Sequence, residues 1–539
     1  MQLIDTYDVI VLGSGIAGLS AALAAHEAGL SALLIEKADK LGGTTSDSYG
    51  LIWVGNNHLM RDKGESDSRE DVIAYMTFLG GGELDEERMV ALVNRSPQVL
   101  QFFQGCGIRF RLVGGIVDHY FGVATGAHGV GRTVEADLIS GFELGDWREL
   151  IRTPKEAPYF VTAEEQTAWG GINQFSRWDR DIVRDRRAKD IRGKGVGLVS
   201  HFVKALVSRG TPILANQSVQ SLTVNDGRVG GVLLSQGGQI AARRGVVLAT
   251  GGYEWNADLM RDFDPLPGLE PLSPPSLTGD GFILAAEVGA AIRRIQNNLN
   301  LMLGFTLVPD TPAAAPIQCM AGISEMCSPH TMVVNKAGKR FADESYFQSV
   351  VPALRTFDTL THSYANLPCY LIFDEQYASS YSLAHLPVGT KVPASVPRAS
   401  NLVDLARQLG VDQDGLSRSV ARFNGFAASG VDEDFHRGEL LWHLANRSKG
   451  KSTNPSLGPI DKPPYYGLQL HPSLGTSSAG LLTNRQAQVI HQRRRPIPGL
   501  YASGVVAART ELGAGYQAGL NLASAMTFSY LAIEHMASA

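Results

Sequence analysis

The stretch Tyr7-Asp8-Val9-Ile10-Val11-Leu12-Gly13-Ser14-Gly15-Ile16-Ala17-Gly18 decides the fold. Its first half is an apolar run typical of a buried strand, and its second half carries three glycines in the spacing G-x-G-x-x-G. An Ala- and Leu-rich segment, 19–27, follows and predicts a helix that Gly29 ends. A strand, a glycine turn and a helix in this order begin a dinucleotide-binding unit.

The next strand supports the same interpretation. A second apolar run, 32–35, ends in Glu36, which lies 21 residues after Gly15. In this context Gly13 makes the tight turn, Gly15 lets the backbone approach a pyrophosphate, and Gly18 lets the helix pack closely on the strand. The helix N-terminus stabilises phosphates, and Glu36 can accept hydrogen bonds from a ribose. The whole unit therefore predicts a bound dinucleotide rather than a turn that binds nothing.

Composition excludes several other classes of protein. The chain of 539 residues suits two domains at roughly 100–200 residues per domain. A net charge of -5 argues against a large basic face for nucleic acid. The four cysteines form no C-x-x-C pair, which predicts no metal site and favours a reduced, cytoplasmic protein. No apolar run reaches ~18 residues, so no transmembrane helix is predicted.

Two further glycine-rich segments favour FAD over NAD. Leu41-Gly42-Gly43-Thr44-Thr45 follows soon after Glu36, and Gly499-Leu500-Tyr501-Ala502-Ser503-Gly504 precedes a final apolar helix at about 521–536. A nucleotide held at both ends of the chain is typical of large flavoproteins.

These segments, with Ala249-Thr250-Gly251-Gly252 and Gly338-Lys339-Arg340-Phe341, resemble the fumarate reductase/3-ketosteroid dehydrogenase superfamily of flavoproteins over nearly the whole chain. Two positions depart from the family pattern. Tyr49, in Ser48-Tyr49-Gly50, places an aromatic ring near the expected flavin edge, where many relatives have glycine. Val505 stands where many relatives carry an acidic residue for the ribityl chain.

The resemblance implies an α/β fold with a Rossmann-type, glutathione-reductase-like FAD-binding domain and an inserted α+β catalytic domain. Residues 297–464 are richer in proline, mix strand and helix patterns and contain long loops, so we assign them to the inserted, capping domain. Residues 1–296 and 465–539 then form the FAD-binding domain. Within 70–105 the pattern predicts three helical pieces, the last beginning at Ser96-Pro97, and the charged segment 174–192 predicts a solvated surface helix.

The fingerprint and the resemblance together predict the residues that hold FAD. They are Gly13, Gly15, Ile16, Ala17, Gly18, Glu36, Lys37, Gly42, Gly43, Thr44, Thr45, Gly50, Val219, Ala249, Thr250, Gly251, Gly504, Asn521 and Leu522.

The C-terminal motif separates two branches of the superfamily. In the fumarate reductase branch it contains an arginine that clamps a substrate carboxylate, and this chain has Gln517 at that position. Glutamine lacks the guanidinium fork, which argues against a dicarboxylate substrate. The 3-ketosteroid delta-1-dehydrogenase branch is the better match, because Tyr516 is followed by Ala525-Met526-Thr527-Phe528 and Tyr530-Leu531-Ala532.

That branch implies the introduction of a C=C bond next to the carbonyl of a cyclic ketone, with three tyrosines in the chemistry. Tyr516 and the backbone amide of Leu520, where the family has glycine, are expected to polarise the carbonyl. Tyr346 is expected to take the α proton, with Tyr120 stabilising its phenolate, while hydride goes to the flavin. Tyr346 lies slightly earlier in its segment than the family tyrosine does.

Alternatives remain open at this point. A smaller ketone of the cyclohexanone type is a second substrate class, since Leu520, Tyr49 and the spacing before Tyr346 all reshape the pocket. A fumarate-reductase-type ene reductase is a third reading, against which Gln517 weighs. A flavin-binding protein without activity leaves the inserted domain without a purpose. Because no NADPH site is visible in the sequence, we expect a quinone or oxygen as electron acceptor.

Overall fold

The computed structural model describes residues 6–154, 158–170, 178–311, 315–320, 325–384, 386–441 and 454–538. The strands are β1 Thr6–Leu12, β2 Ala32–Ile35, β3 Ile52–Trp53, β4 Phe110–Leu112, β5 Thr133–Ala136, β6 Ile139–Ser140, β7 Ile191–Arg192, β8 Ile213–Leu214, β9 Val219–Asn225, β10 Arg228–Leu234, β11 Gln239–Leu248, β12 Ile292–Arg294, β13 Leu301–Leu307, β14 Ile317–Met320, β15 Thr331–Asn335, β16 Phe357–Asp358, β17 Ser363–Tyr364, β18 Cys369–Asp374, β19 Arg398–Ala399, β20 Tyr465–Leu474, β21 Ala479–Leu481, β22 Gln488–Ile490 and β23 Pro496–Ala502. The α-helices are α1 Ile16–Glu27, α2 Gly43–Asp47, α3 His58–Asp62, α4 Arg69–Gly80, α5 Glu86–Gly105, α6 Ala163–Ala168, α7 Arg180–Ala188, α8 Lys194–Ser208, α9 Ala257–Phe263, α10 Asp280–Glu287, α11 Phe347–Leu354, α12 Glu375–Ser380, α13 Leu402–Leu409, α14 Gln413–Ser429 and α15 Leu520–Ser538.

The first sheet sets the position of everything that follows. Its strand order is β22-β23-β11-β1-β2-β8, with β10 and then β9 added beside β11. β1 pairs in parallel with β2 and with β11, and its last residue, Leu12, lies opposite Ile35 and Leu248. The residues that follow these three strand ends therefore meet at one edge of the sheet. In an open parallel sheet, ligands bind outside the carboxyl ends of the strands.

Both faces of β1 are buried, and consecutive side chains enter two different hydrophobic cores. Val9 and Val11 pack with the apolar faces of helices α1, α5, α8 and α15. Ile10 and Leu12 pack on the opposite face with apolar residues from the second sheet. A strand with no polar face belongs in the middle of a layered α/β fold, and this confirms the predicted fold class.

The second sheet is antiparallel and covers the other core. Its order is β14-β13-β20-β18-β15, with β19 beside β20. Strand β20 begins at Tyr465, just after the predicted domain boundary, and pairs with β13 and β18 from the inserted segment. The second sheet therefore does not end at Pro463-Pro464, where the composition changes, because β20 follows that point and belongs to the sheet. The division at 464/465 stays a prediction, and this sheet extends beyond it to Leu474.

Two of the helix predictions meet different outcomes. The predicted helix start at Ser96-Pro97 is wrong, because α5 runs without interruption from Glu86 to Gly105 and contains Pro97. Burial of Val93, Leu100 and Phe103 on both sides of the proline offsets its cost in the helix. The surface helix is confirmed over α7, which buries no residue, but Ile191 and Arg192 form strand β7 instead of its last turn. Residues 174–177 lie outside the described residues. No helix in the described ranges combines the length and apolarity needed to cross a membrane.

A buried ion pair fastens α5 to the segment that precedes α15. Arg88 Nη2 lies 2.7 Å from Glu511 Oε2, and both side chains are 2% exposed. Arg88 Nη1 also donates to Thr483 Oγ1 and to the carbonyl oxygen of Asn484. The guanidinium stacks 3.8 Å from the ring centroid of Phe528. The two buried charges are therefore paired only while α5 stays packed against the segment that contains Glu511.

We expect Arg88→Leu to lower the free energy of unfolding by about 3–5 kcal/mol, because the Glu511 carboxylate stays buried without its cation. Urea unfolding of the purified protein measures this effect. The matched control is Arg261→Leu at the exposed Arg261–Asp258 pair, where the loss should stay within about 1 kcal/mol. Equal losses in the two variants would contradict the role of burial.

Candidate active site

A cavity of about 920 Å³ opens at the carboxyl ends of β1, β2 and β11. The fingerprint turn, the residues after β2 and β11, and the start of α15 all line it. Of the residues predicted to hold FAD, all line this cavity except Gly18 and Gly42. The sheet topology thus gathers into one site segments that are far apart in the sequence.

The three fingerprint glycines have three different environments. A Cβ on Gly13 would lie 2.3 Å from the carbonyl oxygen of Ala249, and its φ of +103° is also unfavourable for other residues. A Cβ on Gly18 would lie 1.8 Å from the carbonyl oxygen of Gly13. Gly15 has room, since its nearest neighbour, Thr45 Oγ1, would be 3.7 Å away. Gly13 and Gly18 are therefore required by packing, and Gly15 borders open space at the N-terminus of α1.

Glu36 is held in place by the same turn. Its Oε2 accepts hydrogen bonds from the backbone N–H and the hydroxyl of Ser14, at 2.9 and 2.7 Å. Its Oε1 accepts one from the backbone N–H of Ala38 at 2.8 Å. The neighbouring Lys37 pairs with Asp280 at 2.8 Å, so its charge is balanced. This fixed carboxylate at the cavity wall suits the ribose of a dinucleotide.

The cavity wall contains buried polar atoms without hydrogen-bond partners, which indicates a polar ligand. Four lining residues carry a buried oxygen with no hydrogen-bond partner among the described residues: Thr250 Oγ1, Glu254 Oε2, Ser273 Oγ and Thr476 Oγ1. Burial raises the pKa of Glu254 to about 7. A molecule with many hydroxyl and phosphate groups supplies the missing partners, and the residues present therefore fit FAD. Sequence reasoning missed Glu254, although it lies only two residues after the 249–252 motif.

Tyr516 faces the cavity just before α15. Its ring lies edge to face with those of His119 and Phe347, at centroid distances of 5.1 and 5.2 Å. Burial raises the pKa of Tyr516 to about 12, with a further contribution from the nearby Tyr49. The phenol is therefore protonated at neutral pH and can donate a hydrogen bond into the cavity.

Gln517 is a structural link in this wall. It is 2% exposed, and its Oε1 accepts hydrogen bonds from Tyr75 Oη at 2.6 Å and from the backbone N–H of His119 at 2.9 Å. Both bonds need an acceptor, which an arginine at this position cannot provide. Gln517 stands where the fumarate reductase branch has the arginine that binds a carboxylate. In this chain its side chain instead holds the loop that carries His119.

The other predicted catalytic residues lie behind the cavity wall. Tyr346 and Tyr120 contact each other with rings perpendicular, 5.7 Å apart, and neither lines the cavity. Burial raises the pKa of Tyr346 well above its usual range, and Tyr120 raises it further. The backbone N–H of Leu520 donates to the carbonyl oxygen of Gln517 at 3.1 Å, and its side chain is 2% exposed. The structure brings only Tyr516 of these four to the cavity, and the roles of the other three stay predictions.

Comparison with known proteins agrees with this geometry. Residues 8–522 match the protein family described as FAD binding domain. The chain belongs to this family. FAD is therefore its cofactor, and the predicted superfamily and cofactor are confirmed.

Several relatives of this flavoprotein are named as dehydrogenases of cyclic ketones. It is 33% identical to 4-oxocyclohexanecarboxylate 2-dehydrogenase of Sinomonas cyclohexanicum, over 98% of this chain and 92% of that protein. It is 32% identical to 3-oxosteroid 1-dehydrogenase of Mycobacterium tuberculosis, over 99% of both. The structure of 3-ketosteroid delta1-dehydrogenase from Sterolibacterium denitrificans in complex with 1,4-androstadiene-3,17-dione matches with a TM-score of 0.87 and 29% identity, covering 99% of this chain and 100% of that one.

We expect Gly15→Glu to abolish FAD binding, because the new carboxylate enters the space beside the helix N-terminus and repels the pyrophosphate. The purified parent protein should release FAD on denaturation, measured by absorbance and chromatography. The control Gly15→Ala should keep its FAD, since a Cβ at this position meets nothing closer than 3.7 Å. Release of FMN from the parent, or full FAD content in Gly15→Glu, would contradict the assignment.

Proposed function

We propose that this FAD-dependent dehydrogenase introduces a C=C bond between the α and β carbons of a cyclic ketone, as in 3-ketosteroid 1-dehydrogenases. The observation that carries the proposal is the neutral phenol of Tyr516, which faces a cavity continuous with the FAD-binding residues. The named activities of the relatives with 33% and 32% identity support it.

The chemistry assigned to this chain is carbonyl polarisation. Tyr516 donates its hydroxyl hydrogen to the ketone oxygen, so negative charge developing there is stabilised and the neighbouring α C–H becomes more acidic. His119 and Phe347 hold the ring of Tyr516 on two sides and limit its rotation. Bound FAD supplies the two-electron oxidant that accepts the β hydrogen as hydride.

Charge in the cavity favours a neutral ketone over an acid. Among the described residues that line it, Lys37 is the only lysine or arginine. Lys37 follows Glu36 in the sequence, and its charge is paired with that of Asp280. A dicarboxylate such as fumarate has no guanidinium partner in this set. Leu520 lies outside the lining, so its side chain does not narrow the cavity for a multi-ring substrate.

A smaller ketone of the cyclohexanone type remains a second candidate, favoured by the relative that acts on 4-oxocyclohexanecarboxylate. Anaerobic mixing with 4-androstene-3,17-dione, cyclohexanone, 4-oxocyclohexanecarboxylate and fumarate distinguishes these substrates, because only a substrate of the oxidation bleaches the flavin. Bleaching by neither class of ketone would contradict the proposed function.

We also propose a cytoplasmic location and a quinone or oxygen as the electron acceptor. All four cysteines lie in the described part of the chain, are buried and form no disulfide, which supports a reducing compartment.

We expect Tyr516→Phe to slow flavin reduction by the ketone ~10²–10³-fold, because one hydrogen bond to the developing oxyanion is lost. The ring and its packing remain, so FAD content and thermal stability should match the parent. Anaerobic stopped-flow absorbance measures the rate. Tyr364→Phe, at a tyrosine that does not line the cavity, is the control and should be neutral. A Tyr516→Phe enzyme with the parent rate would remove the carbonyl-polarising role.

We expect Gln517→Arg to gain no fumarate reduction and to lower stability, because the hydroxyl of Tyr75 and the N–H of His119 both lose their acceptor. Each orphaned buried donor costs about 1–3 kcal/mol. Fumarate-dependent oxidation of a reduced viologen dye and a thermal melt measure the two effects. Gln517→Glu keeps an acceptor and should melt closer to the parent. Rapid fumarate reduction by the parent would contradict this interpretation of Gln517.

A further inference from the structure

The cavity wall includes helix α6, to which no sequence motif assigns a role. Ala163 and Gln166 of this helix line the cavity. The backbone N–H of Ala163 donates to Glu135 Oε2 at 2.8 Å. The backbone N–H of Glu165 donates to Thr162 Oγ1 at 3.0 Å. Gln166 is therefore carried by a short helix whose first turn is held by polar contacts.

The side-chain amide of Gln166 is oriented by Lys194. Lys194 Nζ donates a hydrogen bond to Gln166 Oε1, and the two residues are only 4% and 8% exposed. A lysine ammonium has hydrogens to donate and no acceptor, so it selects the oxygen end of the amide. The amide nitrogen of Gln166 then faces the other way, and it donates to Tyr49 Oη over a long distance of 3.5 Å.

Lys194 itself has a fixed place at the start of α8. A Cβ on Gly50 would lie 2.3 Å from the carbonyl carbon of Lys194, so the two backbones are in close contact. The ammonium nitrogen of Lys194 lies 4.6 Å from the centroid of the Tyr49 ring, a distance that allows a cation–π contact. These contacts tie Lys194 to the cavity segment that contains Tyr49 and Gly50.

The charge of Lys194 is balanced by Glu135. Burial lowers the pKa of Lys194 to about 7, and the attraction of Glu135 opposes this change. Burial likewise raises the pKa of Glu135 to about 7, and the attraction of Lys194 is one of the effects that oppose it. The cation therefore shares its buried surroundings with a carboxylate, and Lys194 does not itself line the cavity.

Two hydrogen-bond donors are left for a ligand. The amide nitrogen of Gln166 carries two hydrogens, and Tyr49 accepts one of them. Because Tyr49 Oη is the acceptor in this contact, its own hydrogen stays available. Within the described ranges no protein group accepts either of the two remaining hydrogens. Both residues line the cavity, so both donors belong to its wall.

These donors are near Tyr516 but separate from it. Tyr49 is close enough to contribute to the raised pKa of Tyr516, and Tyr516 lines the same cavity. No hydrogen bond joins the hydroxyls of Tyr49 and Tyr516 in the part of the chain that the structure describes. A ketone held at Tyr516 by its carbonyl oxygen therefore has a second polar contact beside it, which a further oxygen on the same molecule can use.

We propose that Gln166 and Tyr49 bind a second, uncharged oxygen of the ketone substrate, and that Lys194 is the positioning residue of this subsite. The inference rests on the proposed function and deepens it, because it narrows the substrate class to cyclic ketones that carry a further carbonyl or hydroxyl group. A ketone without that oxygen leaves buried donors unpaired.

The first test compares ketones that differ in the second oxygen. The pairs are 4-androstene-3,17-dione with 4-androsten-3-one, and cyclohexane-1,4-dione with cyclohexanone, and the pair that bleaches the FAD-loaded parent is used. Anaerobic stopped-flow absorbance gives the second-order rate constant of flavin reduction. In the parent we expect this constant to be roughly 5–100-fold higher for the dione. In Gln166→Leu the preference should fall to within about threefold.

Gln408→Leu is the matched control, at an exposed glutamine of α13 outside the cavity lining, and should keep the preference of the parent. FAD content and the visible flavin spectrum of Gln166→Leu should match the parent. A changed flavin spectrum with an unchanged preference would assign Gln166 to the cofactor. An equal loss of rate with both ketones would assign it to the ketone oxygen at Tyr516. Either result overturns the proposal.

The second test exchanges the donor for an acceptor. In Gln166→Glu one carboxylate oxygen keeps the contact with Lys194, and the other replaces the amide nitrogen. A carbonyl oxygen then meets a second acceptor, whereas a hydroxyl group can still donate. We expect the variant to prefer 17β-hydroxy-4-androsten-3-one, or 4-hydroxycyclohexanone, over the corresponding dione by about tenfold. A Gln166→Glu enzyme that still prefers the dione contradicts the subsite.

The third test examines positioning through Lys194→Met. Without the ammonium group the amide of Gln166 can turn by half a turn, so the preference for the dione should fall at least about threefold. The rate constant for the ketone without the second oxygen should stay near the parent value, whereas a merely structural role lowers both constants alike and overturns the positioning role. Lys204→Met, later in the same helix and with its side chain 44% exposed, is the matched control. If Lys194→Met loses FAD, the two Gln166 variants still decide.

The results for the parent separate this inference from the proposed function. If both ketones of a pair bleach the flavin with equal rate constants, the proposed function stands and the subsite is wrong. If 4-oxocyclohexanecarboxylate reacts faster than cyclohexane-1,4-dione, Lys194 acts as an unbalanced cation and the uncharged class is wrong. A parent that no ketone bleaches contradicts the proposed function itself, and the inference falls with it.

Discussion

The parallel pairing of β1 with β2 and β11 is the constraint on which the rest of the structure depends. Because Leu12, Ile35 and Leu248 are in register, the residues after them converge at one edge. Gly13 lies there against the carbonyl oxygen of Ala249, at a distance that leaves no space for a side chain. The close approach of these two backbones forms the floor of the cavity, and a helix N-terminus enters directly from it.

The cavity also depends on what covers that floor. Strand β1 divides its side chains between two cores, so one face of the sheet receives helices and the other receives the antiparallel second sheet. Helix α11 follows strand β15 of that second sheet, and its first turn places Phe347 against the ring of Tyr516. The FAD-binding residues and the residues proposed for the substrate therefore come from different layers of the fold and meet only in the packed protein.

Polar interactions set the chemistry of the site by deciding which groups face the cavity. The side-chain oxygen of Gln517 accepts the backbone N–H of His119, so this side chain has a structural role. Burial keeps both Tyr516 and His119 uncharged at pH 7, and the phenol of Tyr516 provides a hydrogen-bond donor at the cavity. In water both side chains would have their ordinary pKa values. Desolvation at the cavity wall raises the pKa of Tyr516 and lowers the pKa of His119, so the two values move further apart.

The sequence by itself determined the dinucleotide fingerprint, the use of FAD, the α/β fold and the absence of an arginine at position 517, because each of these depends on local spacing. The strand–glycine–helix pattern is read from consecutive residues, and the identity of Gln517 is read from its motif. Only the tertiary structure decided that α5 continues through Pro97, that β20 completes the second sheet, and that His119 rather than Tyr120 faces the cavity. The physical reason is that neighbouring residues in a loop point in different directions, and contacts with partners hundreds of residues away, such as Gln517, select which side chain is turned inward.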